Sequence, residues 1–396
     1  MVEERIQVLV VDDSALMRNL VGKIVDNEND LFTIGKAMNG EFALEKIDRL
    51  KPDVIVLDLE MPVMGGIDFL RERKERGIEI PVIILSSVAE RGAKITMEAL
   101  SLGAADFVTK PSGSVSHDIQ TVGSQLVALL RGYGGRYRRQ RGFSVQKPAP
   151  GPIAPSAETP DTRIPGGFAA RHETGTESAT GTPTISAPAG HTAPKRTPRS
   201  QPGPLEVIAI GISTGGPNAL RKLLAELNED IGVPIVVVQH MPAGFTAEFA
   251  RSLDRVCALE VREAAEGDLM KPGRVLIAPG NYHVTVDKRS LAAIVHVHQQ
   301  EPRNGHRPSA DVLFESVARE FGNRAMGIIM TGMGRDGAQE IGSIYEAGGV
   351  TVGQDEMSSV VYGMPRVAFE NGYLHRQVSL EEMSTVITET VAQYRR

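Results

Sequence analysis

Tryptophan is absent from the 396 residues, and cysteine occurs once, at Cys257. A single thiol excludes an intramolecular disulfide and fits a reducing cytoplasm. Its neighbours Val256 and Ala258, at an expected helix-to-strand junction, read as the setting of an ordinary buried thiol rather than a nucleophile. No apolar run reaches the roughly 18 residues that a membrane span needs. The start, Met1-Val2-Glu3-Glu4-Arg5, lacks the basic-then-apolar layout of a secretion signal. No long basic face appears and the net charge is -6, which argues against nucleic acid as the main partner. Without tryptophan the cores must be built from the plentiful Val, Ile, Leu and Ala.

The length fits two domains. From Ile6 to about Leu130 short apolar runs alternate with helical patterns, and strands are expected at 6–11, 32–37, 53–57, 81–85 and 105–108. This predicts a flavodoxin-like unit over 1–125, a doubly wound five-stranded parallel sheet with helices on both faces. Residues 126–204 are expected to be a largely disordered linker. Pro, Gly, Ser, Thr and Ala dominate from about Ser144 to Pro204, too little apolar surface to offset chain entropy. The basic run Arg136-Tyr137-Arg138-Arg139-Gln140-Arg141 at its entrance reads as a solvated charge cluster. Over 205–396 the alternation resumes, with strands expected at 206–210, 234–238, 274–277, 284–286, 292–297, 326–330 and 349–352. This second α/β unit is expected to have a mostly parallel sheet, made mixed by a hairpin around Asp287-Lys288-Arg289-Ser290.

In a parallel sheet the strand C-termini converge on one edge, where ligands bind. Asp12-Asp13 closes the first expected strand and Asp58 the third; Ser86 and Lys110 follow the fourth and fifth. Three carboxylates brought together repel one another unless a hard cation such as Mg²⁺ sits among them. A hydroxyl and an ammonium beside them suit an acyl-phosphate. Pro111 after Lys110 fits a constrained turn of the kind in which a cis bond occurs. With Met61-Pro62-Val63-Met64-Gly65-Gly66 after Asp58, residues 1 to about 125 resemble a response-regulator receiver domain. The resemblance implies that Asp58 accepts phosphate from a histidine kinase and that Asp12, Asp13 and Asp58 hold Mg²⁺. It implies that Ser86 and Lys110 relay and stabilise the phosphorylated state, and it puts Phe107 at the family's aromatic switch position.

The second constellation begins at Gly211-Ile212-Ser213-Thr214-Gly215-Gly216-Pro217, between an apolar run and a helical pattern. A glycine-rich strand-to-helix turn lifts a serine out of the sheet and aims helix N-terminal amides at whatever binds there. Ser213 needs a base to become a nucleophile. His240, closing the next strand, is the best placed of the histidines, ahead of His283, His296, His298, His306 and His375. His296 and His298 alternate on one strand and could mimic a metal pair, but no acidic or cysteine cluster completes such a site. Asp336, in Thr331-Gly332-Met333-Gly334-Arg335-Asp336-Gly337, is placed to orient the imidazole. The backbone amides of Thr214 and Met333 are the candidate oxyanion donors. The order Ser–His–Asp differs from the α/β-hydrolase and protease orders. A nucleotide site on the same turn lacks the P-loop lysine and the ribose-binding acid. A DNA-binding output lacks a helix-turn-helix pattern and a basic recognition helix.

These motifs, with Gln239-His240-Met241-Pro242, Ala278-Pro279-Gly280-Asn281-Tyr282-His283 and Arg307-Pro308-Ser309-Ala310-Asp311-Val312-Leu313-Phe314, closely resemble the chemotaxis protein-glutamate methylesterase (CheB) family. The resemblance covers both folded units; the linker departs from it, being longer and richer in Pro and Thr. It implies hydrolysis of glutamate methyl esters and deamidation of glutamines on the cytoplasmic helices of chemoreceptors, with no cofactor for the hydrolysis. It further implies a cytoplasmic protein recruited to chemoreceptor arrays, whose receiver covers the serine cleft until Asp58 is phosphorylated. A substrate on an exposed helix calls for an open groove rather than a deep pocket.

Overall fold

The computed structural model describes residues 4–87, 89–110, 116–145 and 196–395. Pro111 and most of the expected linker lie outside these residues. No helix among them is long and apolar enough to cross a membrane.

The N-terminal unit contains strands β1 (Ile6–Val11), β2 (Leu31–Ala37), β3 (Val54–Asp58), β4 (Val82–Ser86) and β5 (Asp106–Thr109), all parallel in the order β2-β1-β3-β4-β5. This is the expected doubly wound sheet. Helices cover both faces, so β3 and β4 are buried along their whole length and read as apolar runs up to their closing residues, Asp58 and Ser86. The order reverses between β1 and β3, which places Asp12 and Asp58 on either side of a topological switch point.

The chain does not turn into linker at 126. Helix Ser116–Leu129 continues through a π-helical turn, Leu130–Gly134, into helix Gly135–Gln140. Gly134 passes so close to Ile6 and Val54 that a Cβ would clash with them. Tyr133 donates its hydroxyl to the Ala105 carbonyl at 2.8 Å. The basic run is correspondingly not a solvated cluster. Arg138 is buried and pairs with buried Asp53 at 2.9 Å, while Arg131, just before the run, pairs with Glu28 and Asp30. Arg136 donates to the carbonyls of Met357 and Ser359 in the C-terminal unit.

The C-terminal unit contains β6 (Val207–Ile212), β7 (Ile235–Gln239), β8 (Glu260–Glu263), β9 (Arg274–Ile277), β10 (His283–Lys288), β11 (Ala293–His298), β12 (Ala325–Ile329), β13 (Val350–Gln354) and β14 (Arg376–Val378). Seven of these form a wholly parallel sheet in the order β14-β13-β12-β6-β7-β9-β8. The expected hairpin exists as β10 and β11, but it forms its own two-stranded sheet instead of making the main sheet mixed. It lies against helix Ala310–Phe321, where Val286 N–H donates to Ser316 Oγ at 3.1 Å. Strands β8 and β14 were not expected. Both are short, polar edge strands with no apolar run to announce them.

Breaking the Arg138–Asp53 pair leaves a buried carboxylate poorly compensated. Arg138→Met is therefore expected to destabilise the N-terminal unit by about 3 kcal/mol, read as a lower urea midpoint. An unchanged midpoint would show that the pair adds no stability.

Candidate active site and phosphoacceptor site

Strand order in the large sheet reverses between β6 and β12. Ser213 follows β6, Asp336 lies in the loop after β12, and His240 follows neighbouring β7, so all three emerge at one switch point. The serine turn is tightly held. Ser213 N–H donates to the Thr331 carbonyl at 3.0 Å, Thr331 Oγ1 to the Thr214 carbonyl at 2.8 Å, and Gln239 Nε2 to the Ser213 carbonyl at 3.0 Å. Gly215 has φ 81°, and a Cβ on it would strike Val360. Both conditions call for glycine.

The expected trio is in hydrogen-bond contact. His240 Nδ1 is 3.0 Å from Ser213 Oγ, and Nε2 is 2.9 Å from Asp336 Oδ2. With Nε2–H donating to the carboxylate, Nδ1 is left to accept the serine proton. The two nitrogens thus exchange the roles they have in serine proteases. Asp336 is buried and also accepts from Ser309 Oγ at 2.6 Å, Asn304 Nδ2 at 2.9 Å and the Ala310 N–H at 2.6 Å. Burial alone would raise its pKa, but His240, Ser309 and Asn304 hold it well below the ordinary carboxylate range. His306 stacks on His240, and burial, aided by the His240 charge, pushes its pKa down to about 4. Among the described residues no acceptor pairs with the amides of Thr214 or Met333; Met333 is itself exposed.

Sequence reasoning missed the supports of Asp336. The signal was present as the Asn304-Gly305 turn dipeptide and the adjoining Ser309, but nothing local says which carboxylate they approach.

His296 stands between Glu266, at 2.7 Å, and Asp287, at 3.5 Å, on the hairpin face, consistent with a strand-surface residue. Cys257 is half-buried, and burial pushes its thiol up to about 11.

The N-terminal site gathers Asp12, Asp13 and Asp58, whose carboxylate oxygens lie within 4.8 Å of one another. Lys110 Nζ is 3.1 Å from Asp12 Oδ2 and 2.8 Å from Asp58 Oδ2. Burial raises the Asp58 pKa, and Lys110 pulls against it. The donor set fits a hard divalent cation. It is all oxygen, and Asp12 Oδ2 is buried with no hydrogen bond beyond its ion pair with Lys110. Ser86 does not join the carboxylates here; its hydroxyl meets Thr96 Oγ1 at 2.5 Å and the Ser87 carbonyl at 3.2 Å.

The two units touch beside the serine turn. Asp106 Oδ2 accepts from the Gly215 N–H at 2.7 Å, and Asn218 Nδ2 donates to the carbonyls of Ala104 and Ala105 at 2.9 and 2.7 Å. Phe107 stacks on Phe245, with centroids 5.1 Å apart and planes 8° from parallel. Burial pushes Asp106 up to about 7, against the hydrogen bonds it receives. A cleft of about 620 Å³ remains, with Ser213, His240 and Met333 on one wall and Phe107, Thr109 and Gln125 on the other. In this arrangement the groove at the sheet edge is walled by the N-terminal unit.

Because the raised pKa of Cys257 keeps it protonated below about pH 11, alkylation at pH 8 should run on the order of a hundredfold slower than for a free thiol. Mass-spectrometric labelling rates check this; rapid labelling at pH 8 would contradict it.

Residues 208–387 match the family profile of CheB methylesterase, and residues 8–117 that of the response regulator receiver domain. The protein-glutamate methylesterase/protein-glutamine glutaminase of Treponema denticola is 54% identical over 396 residues, covering 97% of this chain and 98% of that protein. The protein of the same designation from Treponema pallidum is 53% identical over 391 residues, covering 96% of each. The crystal structure of the Thermotoga maritima CheB methylesterase catalytic domain is 34% identical, with a TM-score of 0.46, covering 47% of this chain and 99% of that one. With relatives this similar over nearly its full length, the chain belongs to the CheB methylesterase family, with a response regulator receiver domain ahead of the methylesterase domain.

Proposed function

We propose that this chain hydrolyses glutamate methyl esters on the cytoplasmic helices of chemoreceptors, releasing methanol, and deamidates glutamines there, as part of chemotaxis adaptation. The observation that carries the proposal is the unbroken hydrogen-bond chain from Ser213 through His240 to Asp336. Ser213 Oγ attacks the side-chain carbonyl while His240 Nδ1 takes its proton. Asp336 holds Nε2–H and balances the imidazolium that forms. The amides of Thr214 and Met333 receive the oxyanion. Collapse expels methanol, or ammonia from a glutamine, with the proton returned by His240. Water, deprotonated by the same ring, then cleaves the acyl-serine to glutamate and free Ser213. No cofactor enters these steps.

Asp58 is the phosphoacceptor in this reading, and a histidine kinase of the chemoreceptor array is its phosphodonor. Asp12, Asp13 and Asp58 would hold Mg²⁺, which supplies charge neutralisation for phosphoryl transfer when bound. Lys110 and Ser86 contact the phosphoryl oxygens, Ser86 after leaving Thr96. The gate is supported by the contacts of Asp106, Phe107 and Ala104–Ala105 with the serine turn and its helix. Phosphorylation shifts the population toward a form in which this wall has moved away from the cleft. The protein acts in the cytoplasm, at the arrays that hold its substrate.

Methanol release from methylated receptor membranes tests the esterase. Ser213→Ala and His240→Ala should each reduce it by about a thousandfold or more; release that survives Ser213→Ala would sink the triad. A second outcome concerns the gate. Asn218→Ala removes two contacts with the receiver, so the unphosphorylated rate should rise several-fold; a rate no higher than that of the parent protein would argue against a wall held by Asn218.

A further inference from the structure

The two hydrogen bonds of His240 fix opposite edges of its ring but leave the ring free to rock about the line joining them. Something must hold its plane. His306 lies flat against it, with centroids 4.0 Å apart and planes 6° from parallel.

The turn that carries His306 is built for rigidity. Arg303 and His306 exchange two backbone hydrogen bonds of 3.1 and 2.9 Å, while Asn304 and Gly305 between them have φ of 54° and 78°. Both central residues at positive φ make a type I′ turn, which the Asn-Gly pair favours. The turn is anchored on both sides. Arg303 pairs with Glu315 and Glu340, and Asn304 Nδ2 donates to Asp311 Oδ2 at 2.6 Å and Asp336 Oδ1 at 2.9 Å. One four-residue turn therefore touches two of the three residues of the hydrolytic chain, the carboxylate through Asn304 and the imidazole through His306.

We infer that His306 is a positioning residue whose flat, neutral ring fixes the plane of His240, keeping Nδ1 directed at Ser213 Oγ while the proton moves. The inference rests on the Ser213–His240–Asp336 reading above. A neutral ring is the right neighbour, because an imidazolium forms on His240 during turnover. A π face attracts that cation, whereas a second positive charge would repel it. Plain space-filling by His306 would make any side chain of similar volume equivalent. Plane-setting requires a flat one.

The test uses the full chain and methanol release from methylated receptor membranes, with Ser213→Ala as the blank and thermal unfolding to verify folding. His306→Leu and His306→Met fill similar space without a flat face, and His306→Phe supplies a flat face that cannot titrate. The Leu and Met variants should lower kcat on the order of ten- to a hundredfold with KM nearly unchanged, and the Phe variant should recover most of the loss. Equal rates in all three folded variants, whether near the parent rate or far below it, would overturn plane-setting. If the parent protein shows no Ser213-dependent release, the hydrolytic reading fails first, and the inference falls with it.

Discussion

In a doubly wound parallel sheet, the loops that leave the carboxyl ends of the strands part at the point where strand order reverses, and side chains from distant parts of the chain converge in the crevice between them. Both sites in this protein obey that constraint, each at the point where strand order reverses. In the first sheet it sets Asp12 beside Asp58. In the second it sets Ser213 beside the loop that carries Asp336, with His240 arriving from the adjacent strand. Everything else is local refinement. Glycines let the turns come close, and polar side chains hold the turns still. The buried Asp336 carboxylate is surrounded by donors, which hold its pKa low against the effect of burial.

The two units meet at the opposite end of the fifth receiver strand. Asp106 and Phe107 open β5 of the receiver, and they contact the serine turn and Phe245 of the methylesterase domain. The fifth strand thus leads into Lys110, which pairs with Asp58, and begins at the wall of the cleft that holds Ser213. A change around Asp58 has four residues of strand through which to reach that wall. The helical extension to Gln140 adds a second attachment, since Arg136 donates to the loop carrying Ser359 and Gly132 packs against Val360, whose side chain faces Gly215. Two receiver elements therefore converge on the serine turn, which gives the proposed autoinhibition a physical basis beyond simple obstruction.

Much of this was legible in the sequence, for reasons that can be stated. Buried parallel strands such as Val54–Asp58 and Val207–Ile212 are largely apolar runs, so they announce themselves. Ser213, His240 and Asp336 each follow such a run, with glycine turns around Ser213 and Asp336, so the geometry of the candidate site follows from the class of sheet. The edge strands Glu260–Glu263 and Arg376–Val378 did not stand out, because edges carry polar residues. The stretch 126–140 read as linker because its glycines and arginines are decided by tertiary contact. Gly134 is needed where the chain passes Ile6 and Val54, and Arg138 is buried only because Asp53 awaits it. Asn304, His306 and Ser309 were obscure for a related reason. A tight turn is visible in sequence, but the surface it folds against is not. The position of Ser86 against Thr96 depends likewise on a side-chain rotation that no local pattern encodes.

The central claim is that the receiver controls the hydrolytic cleft through Asp58. Methanol release by the full-length protein, measured with and without a small acyl-phosphate donor and Mg²⁺, tests it most directly when run beside Asp58→Asn. The account predicts a rate that rises with the donor in the parent protein and does not change in the variant. Equal rates with and without the donor in the parent protein, under conditions where Asp58 is phosphorylated, would contradict it.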